Sequence, residues 1–191
     1  NILDAHGIRS RGEIVQAILA GHVIDQASLG ATEQRWVSLA CGAAQPVCQA
    51  LRYIKENGHA VPRVTLVDLD RSALKAAQMY AQTAEVEQFI DILRMNILHP
   101  QGVALPVVDA RTNVAARALR RRVGLEAAAY DAVDAVGILE YVPEALPDES
   151  PTALQVNAAT FLANAAQLVK PGGLLLVGNM RDTHPQLGFT L

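Results

Sequence analysis

The chain has 191 residues, of which 51% are hydrophobic and 18% charged, and a formal net charge of −3. That length and apolar content suit one domain whose sheet is buried on both faces. The slight negative charge and the 4% aromatic content argue against a nucleic-acid surface, which normally carries a basic stripe or stacking aromatics.

In residues 8–19 the apolar positions Ile8, Ile14, Val15, Ile18 and Leu19 predict an amphipathic helix that stops at Gly21. Residues 1–30 form an N-terminal helical segment ahead of a core spanning residues 31–191. Residues 36–39, Trp-Val-Ser-Leu, read as the first strand, and the small residues Ala40 to Ala44 as a turn. A helix follows from Pro46 to Asn57. Proline is tolerated in a first helical turn because that N–H has no helical partner, and Asn57-Gly58 supplies the C-terminal break.

Cys41 falls in the turn and Cys48 on the buried helix face. Seven residues apart and without CxxC spacing, they suggest neither a zinc site nor a disulfide framework. No apolar run reaches the roughly 18 residues of a membrane span, and no charged-then-apolar signal segment opens the chain. These features predict a soluble, cytoplasmic protein. With Asn1 in first place, an initiator methionine is expected to have been removed or to lie outside this sequence.

Residues 64–67 read as a second strand, continuously apolar as a parallel strand covered on both faces should be. Asp70 is placed to cap a helix over residues 72–83. Residues 89–93 predict a third strand ending at Met95-Asn96-Ile97. A break at Pro106 and a helix over residues 112–122 lead to a fourth strand at 132–136. A long helix over 152–169 and a fifth strand at 174–177 complete the series. Alternation of this kind predicts a doubly wound, mostly parallel α/β sheet with helices on both faces.

Two apolar strands flank a small-residue turn, and the second ends in a carboxylate, Asp68, 26 residues after Gly42. That is the layout of a nucleoside-binding βαβ unit. The turn lets backbone approach a ligand, and the carboxylate accepts hydrogen bonds from ribose hydroxyls. A nicotinamide-binding GxGxxG would need glycines where Ala44 and Val47 stand.

Tyr130-Asp-Ala-Val-Asp-Ala-Val-Gly-Ile-Leu-Glu140-Tyr-Val-Pro and Leu168-Val-Lys-Pro-Gly-Gly173, leading into Leu-Leu-Leu-Val, narrow the reading further. Over about residues 35–180 the chain resembles the class I, Rossmann-like S-adenosylmethionine-dependent methyltransferases. The resemblance implies S-adenosyl-L-methionine as cofactor and methyl transfer to a small or medium-sized acceptor, an oxygen such as a carboxylate or hydroxyl being favoured. Its alternative is a catalytically inactive domain that keeps cofactor binding or serves as an interaction module.

The resemblance also implies a cofactor site made of Ala40, Cys41, Gly42, Asp68, Leu69, Asn96, Ile97 and Gly137. Gly42 would press backbone against the methionine part, and Asp68 would hold the ribose. Asn96 would hydrogen-bond the adenine edge, with Leu69 and Ile97 on its faces. Only one of the family's turn glycines is present, and its turn acid is replaced by Ala40. Glu140, Tyr141 and His184 are the candidate catalytic residues. Tyr141 stands where related small-molecule enzymes often have histidine. Arg117, Arg120, Arg121 and Arg122 suit a solvated helix end better than an anion grip, and the histidines show no metal-ligand spacing.

The family continues past its fifth strand with an antiparallel pair, for which residues 178–191 are too few. The expectation is a longer protein, or a partner subunit in a homo-oligomer, covering that edge.

Overall fold

The computed structural model describes residues 2–98, 125–142 and 157–178. Within them β1 (Arg35–Leu39), β2 (Arg63–Asp68), β3 (Ile90–Arg94), β4 (Tyr130–Val136) and β5 (Val169–Gly178) form one sheet in the order β3-β2-β1-β4-β5. Every pairing is parallel. Four helices accompany the strands: α1 (Ile2–Ser28), α2 (Gln45–Glu56), α3 (Arg71–Thr83) and α4 (Ala158–Ala166). The strand order reverses between β1 and β4, the topological switch point of a doubly wound sheet.

Alternation along the strands sends side chains to two faces. Trp36, Val64, Leu66 and Ala132 join Val47, Leu51, Ile54 and Ala77 of α2 and α3 in one core cluster. Val37, Leu39, Val67 and Val133 join Phe161 and Ala165 of α4 in the other. The buried positions Val47, Cys48, Ala50, Leu51 and Ile54 of α2, and Leu74, Ala77 and Ala81 of α3, keep helical spacing. Complete burial of a side chain such as Phe161 contributes on the order of 1.5–3 kcal/mol.

The N-terminal helix departs from expectation in length and in facing. It runs through Gly21 and ends only at Ser28, where Gly30 adopts a left-handed φ of 91°. There Ala31 N–H bonds to Gln26 carbonyl and Gly30 N–H to Ala27 carbonyl, which satisfies the last turn. A glycine inside a helix costs only about 1 kcal/mol relative to alanine, too little to stop one that tertiary packing supports. The buried face is Val15, Leu19, Ala20 and Val23, while Ile14 and Ile18 are exposed. The helix therefore shares the core of α2 rather than lying beside it.

Residues Val169 to Gly173 also depart from expectation, belonging to β5 and not to the preceding helix or loop. The expected helix over 152–169 ends at Ala166 in its described part, and β5 begins at Val169. Tyr130 pairs with Val169 but Ala132 pairs with Leu174, so Lys170-Pro-Gly-Gly173 bulges out of the ladder. A Cβ on Gly173 would lie 2.8 Å from the Asp131 carbonyl oxygen, so only glycine fits. Lys170 Nζ reaches both Asp131 carboxylate oxygens at 2.9 Å. Lys170-Pro-Gly-Gly173, the motif that carries most of the resemblance, thus locks β5 to the N-terminal end of β4, at the opposite end of the sheet from the switch-point crevice.

Among the described residues β5 is an outer strand, and no helix is long and apolar enough to cross a membrane. The expected helix over 112–122, the arginines on it, and the chain from residue 179 onward lie outside the described residues.

Candidate functional site

The crevice opens where β1 and β4 end. Leu39 leads into a turn in which Ala40, Gly42 and Ala44 all have left-handed φ, at 52°, 53° and 51°. Two of these are alanines, each strained by about 1–2 kcal/mol relative to a right-handed conformation. Ala44, where the resemblance would place a glycine, has a backbone conformation that favours glycine. The turn is tied to β2 by Cys41 N–H to Val67 carbonyl at 3.0 Å and by Gly42 N–H to Asp68 Oδ2 at 2.9 Å. A Cβ on Gly42 would meet nothing within 4 Å, so this part of the turn faces open space.

Asp68 is half-buried at the end of β2, where its Oδ1 also accepts Asp70 N–H at 2.9 Å. Each carboxylate oxygen has two acceptor sites, so both retain capacity. Asp70 caps α3 by accepting Ser72 N–H at 2.8 Å, and the Ser72 hydroxyl first, then that backbone bond, hold its carboxyl below the usual range. The two aspartates therefore divide in role: one caps a helix, while the other faces the turn.

The remaining predicted cofactor residues separate. Leu69 is exposed beside Asp68, whereas Ile97 is buried in the second core cluster. Asn96 is exposed, and its Oδ1 accepts Leu98 N–H at 3.0 Å, an Asx turn. Gly137 follows β4 with φ 83°, and its N–H bonds to Gly178 carbonyl at 2.8 Å.

The sequence reading missed Arg11. From α1 its guanidinium lies 3.4 Å from the point where a Gly137 Cβ would stand and pairs with Glu140 Oε1 at 2.9 Å. His22 Nε2–H, eleven residues further along α1, donates to Asp131 carbonyl at 3.2 Å. α1 therefore runs antiparallel to β4, with Arg11 at the C-terminal end of the strand, beside the crevice, and His22 near its N-terminal end. A lone arginine in an N-terminal helix offers no sequence signal for this. Glu140 is ion-paired, Tyr141 is 76% exposed, and His184 lies outside the described residues.

Asp134 was also missed. It faces the same side of β4 as Ala132, pairs in register with Ser38, and is buried. Burial pushes its carboxyl up to about 6, partly offset by hydrogen bonds from the Ser38 hydroxyl and the Val136 backbone N–H. Arg11, Ser38, Cys41 and Asp134 line a cavity of about 140 Å³ between α1, the turn and β4. Burial first, then the Asp68 and Asp134 charges, push the Cys41 thiol up to about 12. Among the described residues no group of histidine, cysteine and carboxylate side chains could hold a metal ion, and both cysteines are free.

The fold is similar to that of DszA carbon methyltransferase, at 12% identity and a TM-score of 0.50 over 79% of this chain and 30% of that one. It is also similar to a methyltransferase from Geobacter sulfurreducens solved with S-adenosyl-L-homocysteine, at 15% identity and a TM-score of 0.47 over 85% of this chain and 46% of that one. Geranyl diphosphate C-methyltransferase from Streptomyces coelicolor A3(2) gives 13% identity and a TM-score of 0.48 over 84% and 42%. No family model matches the sequence, and no curated protein does. The chain thus shares a Rossmann-like, doubly wound parallel α/β fold with DszA carbon methyltransferase, and it spans less than half the length of each of these three structures.

Proposed function

We propose that the chain binds S-adenosyl-L-methionine and transfers its methyl group to a small-molecule acceptor. The observation that carries this reading is the Asp68–Gly42 pairing at the switch point, a carboxylate held beside an open, left-handed turn. The donor set suits the cofactor: Asp68 has acceptor capacity for ribose hydroxyls, and Arg11 and Asp134 offer charges of both signs to an amino acid. Bound there, the cofactor would supply an electrophilic methyl group on a sulfonium, so the protein's task is alignment and exclusion of water.

A low-pKa oxygen acceptor such as a carboxylate is favoured, since it needs no general base and Glu140 is already engaged by Arg11. An alcohol acceptor would call on Glu140 or His184 as base. The engagement of Glu140 also favours a second reading, a binding domain without transfer activity.

Calorimetry with S-adenosylhomocysteine tests the main reading. A micromolar Kd is expected, and no binding up to about 1 mM would overturn it. Asp68→Ala should weaken binding by about ten- to hundredfold. Turnover of a carboxylic acid panel then separates the transferase from the binding domain.

A further inference from the structure

The cavity beneath α1 brings opposite charges to one small space. Arg11 is the cation on its wall and Asp134 the carboxylate, and Ser38, Ala40 and Cys41 also line it. At about 140 Å³ it is well below the roughly 300–1,000 Å³ of pockets that engulf a whole drug-sized ligand, so it suits a small charged fragment.

Asp134 is 7% exposed, and among the described residues no cation pairs with it. An ionised carboxylate in that position is costly unless a positive group joins it. Arg11 spends one N–H on Glu140. A guanidinium has five donors in a planar fork, and the rest match a second carboxylate.

A fragment bearing one ammonium and one carboxylate on the same carbon satisfies both walls. The turn lacks its acid at Ala40, and Ala40 lines this same cavity. Asp134 on β4 reaches the cavity from the neighbouring strand, two register positions before the turn, through its pairing with Ser38.

We propose that this cavity receives the zwitterionic amino-acid head of the cofactor, with Asp134 binding the ammonium in place of the missing turn acid and Arg11 binding the carboxylate. The assignment rests on the cofactor reading above. Glu140 becomes a positioning residue that holds the Arg11 fork across Gly137.

The test compares two ligands by calorimetry near pH 7.5: S-adenosylhomocysteine, and 5′-methylthioadenosine, which has the nucleoside and sulfur but no amino-acid head. Asp134→Asn should weaken S-adenosylhomocysteine binding by about ten- to hundredfold and leave 5′-methylthioadenosine binding unchanged. Arg11→Gln, on a partly exposed side chain, should do the same and covers the case in which Asp134→Asn does not fold. Glu140→Gln should give a smaller loss, again confined to S-adenosylhomocysteine. Unchanged S-adenosylhomocysteine affinity in folded Asp134→Asn or Arg11→Gln, or an equal loss for both ligands, overturns the proposal while leaving the cofactor reading intact. Failure of the parent protein to bind either ligand overturns both.

Discussion

The Asp68 carboxylate accepts the Gly42 backbone N–H at 2.9 Å across 26 residues of sequence, and so joins the end of β2 to the turn after β1. One side chain therefore shapes the turn that it would share with a ligand. Asp68→Ala leaves the half-buried Gly42 N–H without its acceptor and should cost about 1–2 kcal/mol of stability, read as a lower urea midpoint at unchanged slope. Asp68→Asn keeps one acceptor oxygen and should recover part of that loss. Equal midpoints for the parent and Asp68→Ala would show that the pairing adds nothing to the fold.

Asp134 sets a pH dependence of stability. Its folded value of about 6 lies above the ordinary 3.8, so between those values the folded state binds the proton more tightly than the unfolded chain does. Stability from this group is therefore fully present below about pH 3.8, falls as pH rises to about 6, and is flat above. The separation corresponds to about 2–3 kcal/mol. Asp134→Asn keeps an acceptor for Ser38 but cannot ionise. The difference in urea stability between variant and parent should grow in the variant's favour from pH 4 to pH 7. A difference that stays constant with pH would refute the burial of a titrating carboxyl there.

Both cysteines should be slow nucleophiles in the folded state. Burial is the main cause that pushes Cys41 up to about 12 and Cys48 up to about 11. The thiolate is the reactive form, so at pH 8 alkylation by iodoacetamide should run at least about a hundredfold slower than for an unperturbed thiol. Full reactivity should return in denaturant. Rapid labelling of Cys41 in the native protein would place it outside the cavity wall.

The ends of α3 make opposite predictions. Asp70→Ala removes the oxygen that caps Ser72 N–H and should cost about 1 kcal/mol. At the other end Glu85 has a left-handed φ of 56°, with Val86 N–H bonded to Ala81 carbonyl and its own N–H to Gln82 carbonyl. That is a glycine's place, and Glu85→Gly should stabilise by about 0.5–1 kcal/mol, the relief of strain exceeding the added entropy of the unfolded chain. Its side chain pairs only at 3.6 Å with Lys55 and is largely exposed, so little is lost with it. A higher melting temperature checks it, and a lower one would mean the ion pair outweighs the strain.

Most of the fold was legible locally. The continuous apolar run at 64–67, the small residues after Leu39, Pro46 at the start of α2 and Asp70 before α3 each constrain backbone geometry within a few residues, and the structure has those elements in place. Lys170-Pro-Gly-Gly173 was legible as a motif, but its physical purpose was not. The contact of Gly173 with the Asp131 carbonyl exists only once β5 lies against β4.

The extent and facing of α1 escaped the sequence for a related reason. Gly21 disfavours a helix by about 1 kcal/mol, and only burial of Val15, Leu19, Ala20 and Val23 against α2 overrides it. Likewise the sequence by itself determined the strand-turn-helix units, the glycine-poor turn and the carboxylate at the end of β2, because these depend on neighbours in the chain. Tertiary structure alone decided that Arg11, Ser38, Cys41 and Asp134 share one cavity and that Glu140 is bound to Arg11. Arg11, the Ser38–Cys41 segment and the Asp134–Glu140 segment lie far apart along the chain, and only strand register and the packing of α1 along β4 bring them together.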